Sequence, residues 1–414
     1  MFIRLFLVVV GLAECLLVPC LNAQPMDFQQ ALKASTERHP ALLSMDANIS
    51  AKRYSLDAAK AQRYPSVSAS YGLDQNDNEE GVLSVRQPVW AFDRIDSSIA
   101  YARQDVQVQY KDRVRLLRNL VKDTAVAYLN VWGIQQQLLI VDDNIKQHTQ
   151  LLEQVKRREK GKLASAADVA LASSRLIQAK GQQIKLIGEH RNALLSLQTL
   201  TQLPVEQVAA IQPRWLQLPD AQRIIAQVLS DSAEVEYRQQ LVSLAQKQVR
   251  QARADYLPTL YVRVSHDFSD RSFYANETRV SLYVEGNLEG LGLVTLGHEQ
   301  SSLARLNATK RDVEVSQFEL RNQLNGLLSQ RKMQQELMVG LQAVIDELNS
   351  TLESYQRQYQ SGRKAWMDVL NIYREITEQR LALAQAQNSL DSDTIQLAAM
   401  LGQLDVWPVT VNND

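Results

Sequence analysis

Two short stretches, GKLASAADVAL over Gly161–Leu171 and GRKAWMDVL over Gly362–Leu370, repeat one pattern inside regions of helical periodicity. Each begins with a glycine and a basic residue and reaches an Asp-Val pair six or seven positions later. The aspartates of these pairs, Asp168 and Asp368, stand 200 residues apart (368 − 168). Because a glycine between two long periodic segments commonly ends the first helix, the pattern predicts two helical hairpins with these stretches at their tips.

The rest of the chain is duplicated in the same way. An amphipathic segment, predicted to be one helix at about 27–63 and again at 221–256, ends at Tyr64-Pro65 and at Leu257-Pro258. Prolines cluster between the two halves, which predicts a linker. We therefore predict two copies of one unit, with a signal peptide over 1–23, a first repeat over 24–203 (tip near 159–168), a linker over 204–220, a second repeat over 221–404 (tip near 360–368) and a tail over 405–414.

Strand-like alternation follows each of these prolines. Apolar side chains recur at every second position, which is the period of a β-strand, at Val67, Ala69, Tyr71, Leu73, Leu83, Val85, Leu260, Val262, Val264, Val280, Leu282 and Val284. The predicted hairpins, 65–90 and 258–288, have strands of about 9–11 residues, the length of a tilted membrane β-strand. The same alternation also fits an ordinary antiparallel sheet that packs on helices.

Very long helices are predicted after each hairpin. No proline occurs over 93–158 or over 296–360, and each segment corresponds to roughly 95 Å of helix at 1.5 Å per residue. Spacings of three and four, typical of a coiled-coil seam, relate Leu337, Leu341, Val344, Leu348, Leu352, Tyr355 and Tyr359. After Gly362 a second helix is expected to run back antiparallel to the first.

The N-terminus has the layout of a secretory signal. Arg4 gives a basic start, Leu5–Val18 an apolar region too short to span a bilayer, and Leu21-Asn22-Ala23 a cleavage site. Cleavage there would remove both cysteines, Cys15 and Cys20, so we expect no disulfide and no thiol chemistry in the mature protein. No later window of 18 residues is free of charge, so no transmembrane helix is predicted.

Composition and motifs argue against an enzyme and against a nucleic-acid-binding protein. The net charge of −1 lacks the basic footprint of a nucleic-acid-binding surface. The five histidines are scattered without metal-ligand spacing, so we expect no metal site and no cofactor. Gly290–Gly292 with Gly297 resembles a dinucleotide-binding loop only loosely, because the spacing is wrong and no βαβ unit surrounds it. No Ser-His-Asp arrangement or Gly-x-Ser-x-Gly motif is recognisable.

The doubled plan resembles the TolC-like outer-membrane factor family over about residues 27–404. The resemblance rests on the order of elements, on Gln87-Pro88-Val89-Trp90 at the end of the first hairpin and on the two Gly…Asp-Val tips. It implies a mainly α fold with membrane β structure, in which each subunit has four β-strands and four long-helix columns. A homotrimer would then form a twelve-stranded β-barrel that continues into a periplasmic α-helical barrel. The chain departs from the family at 285–288, where no proline closes the second hairpin.

The resemblance also implies a gate at the tips. Family members join a Tyr and an Arg of the second repeat to a Thr-Asp pair of the first, and acidic rings line the pore. Tyr359 and Asp168 match two of these positions, whereas Lys364 stands for the arginine and Ala167 for the threonine; Asp368 matches a ring position and the next holds an asparagine. Lysine lacks the bidentate fork of arginine, so weaker contacts are implied. An Asp368 ring would favour cations. The implied gate residues are Asp168, Tyr359, Lys364, Asp368 and Asn371.

Two uses of the tip residues remain open. Ser165 and Asp168 fit a capping box, which would use Asp168 within its own helix and would not exclude a gate role. The glycines and basic side chains of the tips fit either a solvated turn or a surface that docks the hairpins of an adaptor, at Arg158, Gly161, Lys162, Gly362 and Arg363.

These observations predict a passive exit duct in the outer membrane of a Gram-negative bacterium. It would conduct small molecules or unfolded protein from an inner-membrane pump (RND, MFS or ABC exporter) through a periplasmic adaptor, the membrane fusion protein. Its partners would be two further copies of itself, the adaptor, the pump and outer-membrane lipid, with no nucleic acid. The alternative is a soluble periplasmic coiled-coil adaptor or scaffold, although the lipoyl-like and barrel domains of an adaptor are not visible in the sequence.

Overall fold

The computed structural model describes residues 25–73, 79–211, 218–268, 278–287 and 289–405. The predicted signal peptide over 1–23, part of the predicted linker, Leu288 and nearly all of the predicted tail lie outside the described residues. None of the helices in the described ranges is long and apolar enough to cross a membrane.

The described chain is mainly helical with a small antiparallel sheet, as predicted, and its elements occur in the same order twice. The first series is α1 (Phe28–Arg38), α2 (Pro40–Ala61), β1 (Ser66–Leu73), β2 (Glu79–Trp90), α3 (Arg94–Lys160) and α4 (Ala166–Thr201). The second is α5 (Ala221–Asp231), α6 (Ala233–Ala254), β3 (Thr259–Asp267), β4 (Thr278–Glu285), α7 (Leu293–Gln360) and α8 (Trp366–Met400), with a 3₁₀ turn, Glu289–Gly292, before α7.

The first helix of each repeat is divided in two, so the prediction of single helices at 27–63 and 221–256 was wrong. His39 is extended, its Nδ1 accepts a hydrogen bond from Ala41 N at 3.2 Å, and Pro40 occupies the first position of α2. Ser232 is extended in the same way, and its Oγ accepts from Val235 N at 3.4 Å. Each break is therefore a new helix start, capped by the side chain that precedes it.

The four strands form one antiparallel sheet in the order β1-β2-β3-β4. The register pairs Val67 with Val85, Val85 with Val264 and Val264 with Val280, so apolar residues of all four strands share one face. This register agrees with the predicted alternation, because a slip of one residue between two strands would turn the apolar set of one strand to the other face. The β2–β3 register shifts near Pro88, which has no N–H to donate to a ladder.

The opposite face of the sheet is polar. One row across the four strands consists of Ser68, Ser84, Ser265 and Arg279. The hydroxyls of Ser68 and Ser84 lie 2.9 Å apart and share a hydrogen bond. In its central rows the sheet therefore separates an apolar face from a face of hydroxyl and charged groups.

Contacts divide the chain into two compact units. The sheet unit comprises the described residues of Thr36–Asp123, Arg214–Glu336 and Ser389–Asp414 and contains all four strands. The tip unit comprises those of Met1–Ser35, Thr124–Pro213 and Leu337–Asn388 and contains both hairpin turns.

Each unit has its own core. In the tip unit the fully buried Tyr128 packs edge-on against Phe28 with ring centroids 5.3 Å apart. Its hydroxyl lies 2.8 Å from the carbonyl oxygens of both Met26 and Ala209, which ties the N-terminal segment to the chain after α4. In the sheet unit, α5, α7 and α8 form an apolar cluster of Ile224, Val228, Leu324, Leu327, Leu397 and Leu401.

The predicted seam along α7 is only partly buried within one chain. Leu352, Tyr355 and Tyr359, at its C-terminal end, pack against a buried cluster. Leu337 and Val344 instead remain 46% and 44% exposed. The single chain therefore does not bury the N-terminal part of this seam.

Candidate functional site at the helical tips

The two hairpin turns have the same backbone hydrogen bonds at positions 200 residues apart. Lys162 N donates to Glu159 O at 2.8 Å, and Gly362 N donates to Tyr359 O at 3.0 Å. In the same turns, Leu163 N donates to Arg158 O and Arg363 N donates to Gln358 O, each at 2.8 Å. This arrangement satisfies carbonyl groups that the end of a helix leaves without partners.

The residues that turn the backbone in the two tips are Lys162, with φ 59°, and Gly362, with φ 74°. The sequence comparison matched Gly161 with Gly362, and that match was wrong by one position. Gly161 does not have a positive φ. A side-chain-bearing residue in this left-handed conformation costs roughly 1–2 kcal/mol. The first tip is therefore built with a strained lysine where the second has a glycine.

The helices that leave the turns begin differently. At the start of α4, Ser165 Oγ accepts from Asp168 N at 3.1 Å, and Asp168 Oδ2 accepts from Ser165 N at 2.9 Å, which is a complete capping box. The amide of Ser165, followed by its hydroxyl, lowers the pKa of Asp168. At the start of α8, Ala365 has no polar side-chain group to cap the helix, and Asp368 lies 3.6 Å from the ammonium group of Lys364.

An aromatic group joins the two hairpins beneath the tips. Trp366 is 6% exposed, and its ring lies 5.0 Å from that of Tyr359. The guanidinium group of Arg158, from the first repeat, stacks over the Tyr359 ring at 4.6 Å. Tyr359 of α7 packs against a buried cluster from α3, α4 and α8, which is formed by Leu151, Leu152, Val155, Ala172, Trp366, Val369 and Leu370.

The predicted gate residues lie together at this end of the tip unit, but not in the predicted hydrogen bonds. The described chain has no hydrogen bond between Tyr359 and Asp168, because the Asp168 carboxylate caps its own helix. Burial raises the pKa of the Tyr359 hydroxyl, with a further contribution from the Asp168 charge and an opposing one from Arg158. Lys364 stacks over the Tyr355 ring at 4.2 Å. Asn371 is exposed on α8.

Sequence reasoning missed the aromatic group and placed Arg158 only on a docking surface. The signal was present in the repeat itself. Trp366 stands 200 positions after Ala166, so the second copy has the largest side chain where the first has one of the smallest. Tyr359 stands likewise opposite Glu159. Positions at which two copies of one unit differ this strongly are candidates for contacts that join the copies.

The tips carry excess positive charge. Segments 157–168 and 357–368 together contain seven basic and three acidic residues. Among the residues that the structure describes, no group of three or more His, Cys, Asp or Glu side chains could hold a metal ion.

The chain matches known proteins over both repeats. The family described as "Outer membrane efflux protein" matches residues 31–201 and 224–403. The pyoverdine export outer membrane protein OpmQ of Pseudomonas aeruginosa is 26% identical over 230 residues, which is 55% of this chain. That alignment spans about half, 48%, of the length of OpmQ.

Solved structures share the fold. CusC, whose structures concern conformational changes that accompany folding and transmembrane channel formation, superposes with a TM-score of 0.79 at 17% identity, over 90% of this chain and 91% of CusC. The outer-membrane channel OprN superposes with a TM-score of 0.78 at 18% identity, over 91% of this chain and 89% of OprN.

The family match covers the hairpin tips and the strands of both repeats, which favours the channel over the soluble adaptor or scaffold. The chain belongs to the outer membrane efflux protein family, and it is a TolC-like protein of the outer membrane of Gram-negative bacteria with a periplasmic helical domain.

Proposed function

We propose that the protein is the passive exit duct of a tripartite export system. Substrate would pass from an inner-membrane pump through a periplasmic adaptor and leave the cell through this protein. The observation that carries the proposal is the division of the sheet into an apolar face and a polar face. The side chains of the apolar face are exposed to solvent in the single chain. Such a sheet fits a barrel wall between lipid and a water-filled bore.

Exposure of the apolar face supports a lipid-facing wall. Tyr71 on β1 and Val280 on β4 are 75% and 72% exposed. In water, this much apolar surface along a continuous face would be unfavourable, at about 25 cal/mol for each Å². In a bilayer the same surface contacts acyl chains, and every second residue faces them.

The edges of the sheet support a homotrimer. In the described sheet, β1 and β4 each pair on one side only. Unpaired strand edges are costly in a membrane, and closure of the sheet removes them. If β4 of one subunit pairs with β1 of the next, three copies of four strands close a twelve-stranded barrel.

The proposed gate lies at the tips and includes Asp168, Tyr359, Lys364, Asp368 and Asn371. The Arg158–Tyr359 stack, which joins the first hairpin to the second, supports this assignment. Separation of the two hairpins would break the stack. A partner that binds the separated form more tightly would therefore open the duct.

The turn residues Arg158, Gly161, Lys162, Gly362 and Arg363 form the proposed adaptor-docking surface. Except for the half-buried Arg158, they are exposed. Their excess of basic groups fits an adaptor tip that is acidic or rich in carbonyl groups. Arg158 would serve both the docking surface and the gate, so adaptor binding could compete with the stack on Tyr359.

The similarity to a pyoverdine export protein favours small molecules over unfolded protein as the cargo. RND, MFS and ABC exporters are all compatible with this duct as its pump.

Cell fractionation followed by planar-bilayer recording tests the proposal. We expect an outer-membrane protein that migrates as a heat-modifiable trimer and that forms ion-conducting pores after reconstitution. A soluble periplasmic monomer that forms no pores would contradict the proposal and would restore the adaptor or scaffold alternative.

A further inference from the structure

We propose that the polar face of the sheet is an anion-binding layer that makes the duct select for negatively charged solutes. The inference rests on the proposed function, because this face lines the bore only when the barrel is closed. It concerns the class of cargo, which the family match leaves open.

Two arginines lie side by side at the centre of this face. Arg86 on β2 and Arg263 on β3 are direct partners in the register, with Ser66 and Ser281 at the outer positions of the same row. Like charges directly opposite each other destabilise a sheet. The pair therefore concentrates positive potential at a place where stability alone would favour an uncharged or oppositely charged neighbour.

Tyrosines hold both guanidinium groups in place. Arg86 stacks over Tyr261 at 4.9 Å, and Arg263 stacks over Tyr283 at 4.4 Å and donates to its hydroxyl at 2.9 Å. The two tyrosine rings stack on each other with centroids 5.5 Å apart. A guanidinium group fixed by its face keeps N–H donors at its edge for a ligand.

Two of the three arginines on the polar face of the described sheet form ion pairs. Arg86 forms an ion pair with Glu285 at 3.2 Å, and Arg279 pairs with Asp267. Within the described residues Arg263 contacts no carboxylate, and Tyr283 is its hydrogen-bond partner. Arg263 is thus the arginine of this face that has no carboxylate contact among the described residues.

Carboxylates, phosphates and sulfonates fit this chemistry. A guanidinium edge binds the oxygens of such groups through paired N–H donors. The next row along the strands supplies the hydroxyl groups of Ser68, Ser84 and Ser265 as further donors. With two arginines per chain, a trimer would place six guanidinium groups in this part of the bore.

The acidic residues of the tips do not oppose this selectivity. Asp168 is engaged by the capping box, and Asp368 lies beside Lys364 at 3.6 Å. Basic residues outnumber acidic ones in both tip segments. The expectation that an Asp368 ring favours cations is therefore offset by the side chains around it.

Reversal potentials of the reconstituted trimer in a KCl gradient test the inference. We expect chloride to permeate better than potassium through the wild-type protein. Arg263→Gln should lower the chloride-to-potassium permeability ratio by about twofold or more, because local charge sets the concentration of counter-ions in a narrow bore. We also expect added dicarboxylates such as malate or phthalate to block the wild-type pore. Arg263→Lys, which keeps the charge but lacks the planar fork, should keep the permeability ratio and lose most of this block.

Arg305→Gln, at an exposed arginine of α7 outside the sheet, is the matched control and should behave like the wild type. Conducting pores that prefer potassium, or a ratio that Arg263→Gln and Arg305→Gln change equally, would overturn the inference and leave the exit duct standing. Failure of the folded wild-type trimer to conduct at all would overturn the exit duct and the inference together.

Discussion

The two hairpin tips have the same backbone conformation but differ in the side chains that cap the returning helix and pack beneath the turn. Lys162 and Gly362 occupy the same left-handed position with the same hydrogen bonds. The first tip then begins its returning helix with a capping box, whereas the second begins its own with the buried Trp366. The two copies thus have the same turn but different stabilising contacts. The first tip is stabilised by the capping box of α4, and the second by packing of Trp366 against the first hairpin.

Among substitutions that test the difference between the tips, replacement of Trp366 should change the free energy of local unfolding most. Trp366→Ala empties a site that is 6% exposed within the cluster shared by both hairpins. We expect the free energy of local unfolding at the start of α8, measured by hydrogen exchange, to fall by about 3–5 kcal/mol. Met367→Ala, at a neighbouring side chain that is 42% exposed, is the control and should change it by about 0.5 kcal/mol or less. Equal losses in the two variants would mean that the tryptophan does not join the hairpins.

Exchange of the turn residues should shift the two tips in opposite directions. Gly362→Ala places a side chain at φ 74° and should destabilise the second tip by roughly 1–2 kcal/mol. Lys162→Gly relieves the corresponding strain in the first tip. The increase in its free energy of unfolding should be smaller than the decrease in the second tip, because glycine also loses more chain entropy on folding. Hydrogen exchange of the last turns of α3 and α7 measures both effects. A loss of protection in both variants would contradict the assignment of strain to Lys162.

Removal of the capping serine from the first tip should weaken the pH dependence of hydrogen-exchange protection there, and addition of a serine to the second tip should create such a dependence. The pKa of Asp168 is lowered in the folded protein, so its stabilising effect is complete above the ordinary carboxyl pKa and is lost as the pH falls through the lowered value. We expect protection of the first turn of α4 to fall with pH below about 4. Ser165→Ala should cost about 1 kcal/mol and flatten this profile, while Ala365→Ser should create a weaker version of it in α8. An unchanged profile in Ser165→Ala would show that the capping box is not its source.

Loss of the stack between the tips should have the smallest energetic effect. Tyr359→Ala removes the ring under Arg158, and the cation–π part of the resulting loss is about 0.5–1 kcal/mol. If the stack holds the gate closed, the open-to-closed ratio in planar bilayers should rise by about two- to fivefold, and Lys364→Ala should act in the same direction. Glu159→Ala, at the equivalent position of the first repeat, should leave conductance unchanged. A response to Glu159→Ala as large as that to Tyr359→Ala would remove the special role of the second tip.

Local rules in the sequence predicted those parts of the structure that depend on near neighbours. The alternation of the strands predicted which residues share a face because side chains of a strand alternate strictly. The Ser165–Asp168 capping box was recognisable because both partners lie three residues apart. The helical hairpins followed from proline-free periodic segments that end at glycine.

Contacts between distant segments could not be predicted in this way. The stack of Arg158 on Tyr359 joins residues that are 201 positions apart (359 − 158), and no spacing rule relates them. The position of the turn at Lys162 depends on where the hydrogen bonds of α3 end, whereas sequence reasoning chose the nearby glycine. The break at His39 depends on a ring nitrogen that replaces a backbone partner, which the helical periodicity around it conceals.

The open sides of the sheet have a consequence for biogenesis. In the described sheet of a single subunit, β1 and β4 each have one unpaired edge beside an exposed apolar face. Such a subunit is prone to aggregate until it associates with further copies of itself. Its lifetime as a free monomer must be short compared with the time for misassembly, or chaperones must shield it on the way. If the proposed trimer closes the barrel, folding, oligomerisation and insertion would be coupled in one concentration-dependent event, and the expression level would set the yield of folded protein.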